Sequence, residues 1–283
     1  NQIFSPLFFK SFKAPSPYCY RCPMGKTMES CCIESIKPAE DILKKNAKKI
    51  AAVILEPMVM AAGGMIIYPK EYLKKIAVLT KRYGVHLIVD EVATAFGRTG
   101  KMFACEHAGV RPDFLCLSKG ITSGYLPLAV TLTTEEIFRE FYGDYEERKT
   151  FFHGHTYTAN PVSCAAALAS LRIFKEEKRL RKVRKLMPFF HQGLEKFRDL
   201  GLVGDLRYIG FIGAMELVKD KKTKEGFGLK QRMGLEVYKR GLKENLVLRP
   251  LGDIIYLFLP LCTSKAQIED ILKRSYAVIK SLS

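Results

Sequence analysis

A chain of 283 residues, 48% of them hydrophobic, can bury one large core and a smaller one, which excludes global disorder. Its 46 Lys and Arg against 29 Asp and Glu leave a formal charge of +17, which would permit nucleic-acid or anionic-membrane binding if the cations clustered. They are instead spread along helix-like stretches at 37–49 and 175–185 and interleaved with acids, so solvated helix faces and an anionic small-molecule substrate are expected, with no nucleic-acid or membrane partner.

No apolar run nears the roughly 20 residues that cross a bilayer. Asn1-Gln2-Ile3-Phe4 offers neither an initiator Met nor a signal pattern, so the expectation is a cytoplasmic protein whose true N-terminus lies upstream. Residues 1–35, rich in Pro, Ser, Tyr and Cys, read as an irregular surface segment carrying aromatic contacts. Of the eight cysteines, Cys19-x-x-Cys22 with Cys31-Cys32 comes closest to a metal ligand set. Adjacent Cys31 and Cys32 rarely reach one tetrahedral ion together and no second separated pair follows, so no metal is expected. Small buried thiols account for most of the others.

Order begins with a helix over about 39–48 and the apolar run Ala51 to Leu55. Pro69 then opens a helix with apolar residues at 72, 73, 76, 79 and 83 and Gly84 at its stop. Val85 to Val89, Asp113 to Leu117 and Leu128 to Leu132 are short apolar blocks that read as strands covered on both faces. With helices between several of them they predict an α/β domain with a mainly parallel sheet. The helix of about 160–176 contains an Ala-rich stretch, Cys164 to Leu171, expected to be a buried connector. Beyond it come a charged helix (178–200), a strand over 211–218, a helix over 229–243, strands near 246–249 and 254–259, and a helix from 264, an α+β pattern. The division predicted is a large domain over 1–172 and a small domain over 173–283.

Three polar features fall at consecutive strand ends: Glu56-Pro57, Asp90-Glu91 and Ser118-Lys119-Gly120. Singly, each is as readily a cap, a loop acid or a surface lysine. Together they suit pyridoxal 5'-phosphate, which needs an amine for its aldehyde and a carboxylate for its pyridine nitrogen. Asp90 would keep the ring nitrogen protonated, and Lys119 would carry the proton released from the substrate carbon.

At these positions the chain resembles the class-III, ornithine-type aminotransferases. The likeness rests on Asp90-Glu91-Val92-Ala93-Thr94-Ala95-Phe96-Gly97-Arg98-Thr99-Gly100-Lys101, then Phe103-Ala104-Cys105-Glu106-His107, Pro112-Asp113 and Ser118-Lys119-Gly120, and it runs from Glu56-Pro57 to Asn160-Pro161. Within the family, Lys13 to Pro23, Met102 to Ala108, His153 to Tyr157, Arg249 to Gly252 and Ile255 to Leu257 carry a closer likeness to one biosynthetic member, which makes the Cys19–Cys22 element part of a substrate-facing loop.

The resemblance implies fold type I, a pyridoxal-phosphate-dependent transferase with an incomplete large domain and an α+β small domain. It assigns the cofactor imine to Lys119, the pyridine nitrogen to Asp90 and one ring face to Val92. Gly154, His155 and Thr156 resemble a segment that reaches across a homodimer to the cofactor phosphate, with His155 where the family has Pro. Substrate binding falls to Lys119, Gly154 and Arg249, the last holding a carboxylate as a planar guanidinium can. Arg98 and Tyr256 are placed nearby. The family's phosphate loop and ring-stacking aromatic would lie upstream. His86, His107 and His191 are read as structural, and Met65 to Tyr68 and Tyr238 to Leu246 as core.

Overall fold

The computed structural model describes residues 3–26 and 34–282 and builds them around two four-stranded sheets. Cys31 and Cys32 lie outside the described residues. Residues 3–26 form the expected irregular segment, with one 3-10 turn at Ser5–Leu7 and aromatic rings set under cations. Arg207 lies over the Tyr18 ring at 5.1 Å and Lys224 over Tyr20 at 4.8 Å.

Helix α1 (Lys37–Asn46) has Pro38 in its first turn, where no N–H is needed, and buries Ala39 and Leu43. Strand β1 (Ala52–Leu55) leads to the antiparallel pair β2 (Val59–Met60) and β3 (Ile66–Ile67). Helix α2 (Lys70–Tyr83) begins after Pro69 and stops at Gly84, whose φ of 64° lets its N–H reach Thr80 O and Lys81 O. Its apolar stripe, Tyr72, Leu73, Ile76 and Leu79, packs with Leu87 and Val89 of β4 (His86–Asp90). With β5 (Phe114–Leu117) and β6 (Val130–Thr133) the order is β1-β4-β5-β6. β1 and β5 run parallel to β4, and β6 returns antiparallel, so the mainly parallel α/β reading is borne out.

Coverage on both faces is not. Ile54 is 64% exposed and Leu132 50%, because β1 and β6 are the edge strands. Val53 and Leu55 pack with the α1–α2 layer, and strand alternation turns Ile54 to the other side. Helix α3 (Glu135–Arg139) is capped by Thr134, and α4 (Pro161–Glu176) by Asn160 Oδ1, which accepts from Val162 and Ser163 N–H at 3.0 and 3.1 Å. The expected buried connector is also corrected. In α4 only Ser163 and Ala167 are buried, Ala167 against Phe96 and Ile121, while Leu168 is 64% exposed.

Helix α5 (Arg179–Glu195) precedes β7 (Val203–Ile209) and β8 (Ile212–Leu217), which pair antiparallel. Then follow α6 (Met233–Lys243), β9 (Pro250–Leu251), β10 (Ile254–Phe258) and α7 (Lys265–Lys280), the last with a Ser264–Gln267 capping box. The predicted strand at 246–249 is displaced to Pro250–Leu251. Gly252, at φ 61°, turns the chain so that Leu251 faces Ile254 and Pro250 faces Ile255, and pairing ends there. The core of this second sheet is Phe190, Leu194, Phe211, Met215, Ile255 and Ile268 with their neighbours, each large side chain contributing on the order of 1.5–3 kcal/mol by burial. Tyr238 to Leu246 is not core throughout, since Leu242 is exposed.

The second sheet packs, through Ile212 and Ala214, on the β2–β3 pair and the turn at Ala104, with Met58, Val59 and Met65 on that side. The β7–β8 turn sets the approach. Gly210 has φ 57°, Phe211 N–H donates to Arg98 O at 3.0 Å, and a Cβ on Gly210 would fall 2.2 Å from Arg98 O and 2.5 Å from Thr99 Cα. Both contacts are backbone and cannot rotate away. Gly210→Ala is therefore expected to lower unfolding stability by about 2–4 kcal/mol, through overpacking and a left-handed alanine. Urea unfolding checks this, and a loss under about 1 kcal/mol would show that the sheets are not locked at this turn.

Candidate active site

Parallel register determines what comes together. Leu55 pairs with Val89, so Glu56 lies beside Asp90, and Asp90 pairs with Cys116, so Glu91 lies beside Leu117 and the chain then enters Ser118-Lys119. All three predicted features therefore end at one edge, beyond the carboxyl ends of the strands, where ligands of open α/β sheets bind.

Asp90 is half-buried, and its Oδ1 accepts from Val92 N–H at 3.0 Å. No hydrogen bond to its other oxygen, Oδ2, is made among the described residues. Glu91, fully buried, is turned the opposite way. Its oxygens accept from Ala104 N–H at 2.6 Å, Cys105 N–H at 2.8 Å and Thr94 Oγ1 at 3.3 Å, and its own N–H donates to Cys116 O at 2.9 Å. Burial raises the Glu91 carboxyl above its ordinary range, and the N–H donors oppose that. Burial, with the Glu91 charge beside it, pushes the Cys105 thiol up to about 12, so it is an inert packing group. Glu91 thus braces the loop that carries Asp90.

Lys119 is exposed and stands at φ 44° at the start of a 3-10 turn, Lys119–Thr122. A left-handed lysine is held only where its surroundings demand it. Here Ser118 Oγ donates to Leu128 O at 2.8 Å, and Gly120 lies so close under Phe96 that a Cβ would come within 2.9 Å of that ring. The Glu56 carboxyl links the three strand ends electrically. Burial raises it, the Ala61 N–H opposes, the Asp90 charge raises it further and the Lys119 charge lowers it. An exposed amine and a carboxylate with an open oxygen, each near enough to bias Glu56, fit an aldehyde-bearing pyridine cofactor.

The other predicted site residues are not joined to this pair among the described residues. Residues 151–159 are exposed, including Gly154, His155 and Thr156, and bond locally: His155 N–H to Thr158 Oγ1 at 3.0 Å, Tyr157 N–H to His155 Nδ1 at 3.1 Å, and Asn160 N–H to Tyr157 O at 3.2 Å. Arg249 is exposed just before β9 and has no hydrogen bond or ion pair among the described residues, while Tyr256 is half-buried in β10. Arg98 is half-buried, donates to Leu259 O and lies 4.2 Å over Phe258, and its loss of solvent lowers it to about 10. In this chain it joins the two sheets. Cys19 and Cys22 line a small cavity with Ser35, Pro69 and Tyr72. His107 contacts Thr99, and His191 contacts Gly210 O at 2.8 Å, both structural roles as expected.

Arg207 was not legible in the sequence. It is 8% exposed and donates to Met65 O at 2.8 Å, Gly64 O at 2.7 Å and Glu216 at 3.2 Å, and it also pairs with Asp205. Its strand, Val203-Gly204-Asp205-Leu206-Arg207, has too many polar residues to read as buried. The acid at 216, inside an apolar run, was the one available signal that a cation faces it.

The Aminotransferase class-III family profile matches residues 2–279. The chain is similar to the adenosylmethionine-8-amino-7-oxononanoate aminotransferase of Geobacter sulfurreducens, 45% identical over 268 residues, 94% of this chain and 59% of that protein. The protein of the same name from Aquifex aeolicus is 45% identical over 280 residues, 99% of this chain and 62% of that one. The crystal structure of the Methanocaldococcus jannaschii protein of that name superposes with a TM-score of 0.89 at 40% identity, covering 99% of this chain and 62% of that chain. An (S)-enantioselective omega-transaminase from Thermomicrobium roseum gives a TM-score of 0.88 at 33% identity, covering 94% of this chain and 59% of that chain. The chain thus spans roughly three fifths of the length of these curated relatives.

The Glu91 brace is open to test. Glu91→Gln leaves one of two buried N–H groups facing an amide NH2, so stability should fall by about 1–3 kcal/mol. Because burial raises Glu91 in the folded state, its contribution is greatest at and below the ordinary glutamate range and is lost as pH rises through the raised value. The gap between wild type and the non-titrating variant should accordingly narrow with rising pH, read by chemical denaturation across a pH series. A gap that widens would contradict the assignment.

Proposed function

The chain belongs to the class-III aminotransferases, and on that premise we propose that the full-length protein transfers an amino group to 8-amino-7-oxononanoate, giving 7,8-diaminononanoate in biotin biosynthesis. One observation carries the reading: Asp90 and Lys119 leave adjacent parallel strands at one edge, in a chain 45% identical to two enzymes named for that acceptor. Pyridoxal 5'-phosphate, when bound, supplies an aldehyde that captures amines and a pyridine ring that accepts electrons.

The chain's residues do the rest. Asp90, through its open oxygen, would hold the pyridine nitrogen, and Val92, fixed by its N–H bond to Asp90, would pack on the ring. Lys119 Nζ would hold the cofactor at its aldehyde and would be the base that takes and returns the proton of the substrate carbon. The backbone of Gly154 and His155 and the Thr156 hydroxyl hold phosphate across a homodimer. Supporting this, Phe152 is 89% and Tyr157 75% exposed beside that segment, an apolar margin suited to a second copy. Arg249, with no side-chain partner among the described residues, binds the acceptor carboxylate. The donor is S-adenosylmethionine, as in the relatives' names, with lysine as the alternative. The division into residues 1–172 and 173–283 and a cytoplasmic location belong to the same proposal.

Borohydride reduction of the cofactor-loaded protein followed by peptide mapping should place the pyridoxyl label on Lys119, and Lys119→Ala should lose it while keeping the fold. A label on any other lysine would overturn the site. For Arg249→Ala, an unpaired desolvated carboxylate costs about 2–5 kcal/mol, so kcat/KM for the acceptor should fall roughly 30-fold to several thousandfold. Arg249→Lys should recover part of that. If both half-reactions fall equally, Arg249 is not the acceptor's anchor. An enzyme that aminates simple ketones but not this acceptor would be an omega-aminotransferase of other specificity.

A further inference from the structure

Lys119 stands on a turn whose inner side rests on one ring. A Cβ built on Gly120 would fall 2.9, 3.2 and 3.3 Å from Cδ2, Cβ and Cγ of Phe96, the three atoms it would meet first. Gly120 is not in the left-handed region, so the ring, and not the backbone, asks for a glycine there. Phe96 is itself buried and left-handed, at φ 57°. A bulky residue rarely adopts that conformation, and a ring needed only to fill the core could come from ordinary backbone. Two left-handed residues, Phe96 and Lys119 at φ 44°, thus stand on either side of the Gly120 contact.

The ring is not free to drift. Glu91 O accepts from Thr94 and Ala95 N–H at 3.2 and 3.1 Å, which leads the chain from the braced Glu91 directly into Phe96. Beyond it, Arg98 O accepts from Phe211 N–H at 3.0 Å and Gly100 O from Arg184 Nε–H at 2.7 Å, so the β7–β8 turn and α5 grip the residues that follow. Phe103 meets the ring edge-on at 6.2 Å, and Leu117, Ile121 and Ala167 share its cluster. The Lys119 turn closes on itself through Ser123 N–H to Gly120 O at 3.1 Å and Gly124 N–H to Lys119 O at 3.2 Å. A shift of the ring therefore acts on the whole segment that carries Lys119.

We propose that Phe96 is a positioning residue for Lys119: its ring, seated on Gly120, sets the turn that carries the lysine, so that the loop after Asp90 and the Lys119 turn move as one body. For its consequence in catalysis the inference rests on the pyridoxal-phosphate reading above, whereas the contact itself does not. Displacing a reacting group by about 1 Å can cost on the order of 100-fold in rate. The ring lies against the backbone of the turn, so its loss should act on turnover rather than on acceptor affinity.

The test uses the full-length protein, first without cofactor. In Phe96→Gly, hydrogen exchange at amides 119–124 should quicken about tenfold or more, while amides 86–90 keep their protection. Gly120→Ala, which forces the ring or the turn aside, should quicken the same amides. With both substitutions together, exchange should be no faster than in Phe96→Gly alone, because the added methyl then meets no ring. Phe96→Leu, which keeps apolar bulk over Gly120, should restore most of the protection. With pyridoxal phosphate loaded, Phe96→Gly should lower kcat about 10- to 100-fold and leave KM for the acceptor within about threefold. Exchange that quickens equally at 86–90, effects that multiply in the double variant, or a kcat within about threefold of wild type would each overturn the positioning role. A protein that gives the exchange results but never takes up pyridoxal phosphate sinks the transaminase reading and leaves the link from Phe96 to the Lys119 turn standing.

Discussion

The parallel pairing of β1, β4 and β5 is the constraint on which the rest depends. Parallel strands in register deliver their carboxyl ends to one side, and a shift of one residue would turn Asp90 into the core and Glu91 out of it. The protein guards that register locally. Glu91 is bonded to Cys116 O across the strands and to two N–H groups of the next turn, and Asp113 Oδ2 accepts from Leu87 N–H at 2.7 Å on the same pair of strands. An acid buried at a strand end is costly unless fully bonded, and Glu91 is.

A second layer of polar contacts ties this edge to the other sheet. Arg98 reaches Leu259 O, Arg207 reaches the β2–β3 turn, and Arg21 Nε pairs with Glu216 at 2.6 Å, which brings the irregular segment into the same cluster. Burial lowers Arg207, and the Asp205 charge restores part of it. Such clusters add little net stability when intact, but breaking one partner strands a buried charge. Their effect here is orientation. Glu56 lies only a few residues before β2, so a guanidinium that fixes the β2–β3 turn also limits how far the β1 end can move.

The legible parts of the chain were those where local chemistry and tertiary packing agree. Pro69 and Gly84 bracket α2 because each satisfies a helix end whatever it packs on. The apolar blocks at 52–55, 86–90 and 114–117 needed only a sheet to join, and the acids and the lysine that follow them were marked by falling at block ends. What the sequence hid depends on partners far along the chain. β7 is polar because its Arg207 and Asp205 face Glu216, the Ala-rich α4 buries one narrow side, and Arg98, in a motif that suggests substrate contact, is engaged by Leu259 and Phe258. Arg249 and residues 154–156 were found by motif alone, and no described interaction joins them to Lys119.

The proposed role of the Asp90–Lys119 edge is amino transfer to a long-chain keto acid. Its most direct test is product analysis. Full-length protein loaded with pyridoxal phosphate is incubated with 8-amino-7-oxononanoate and either S-adenosylmethionine or lysine, and the mixture is followed by mass spectrometry. The expected result is 7,8-diaminononanoate with one of the two donors and none from the Lys119→Ala protein. Unchanged 8-amino-7-oxononanoate, with amination of pyruvate or a simple ketone by the same preparation, would contradict it.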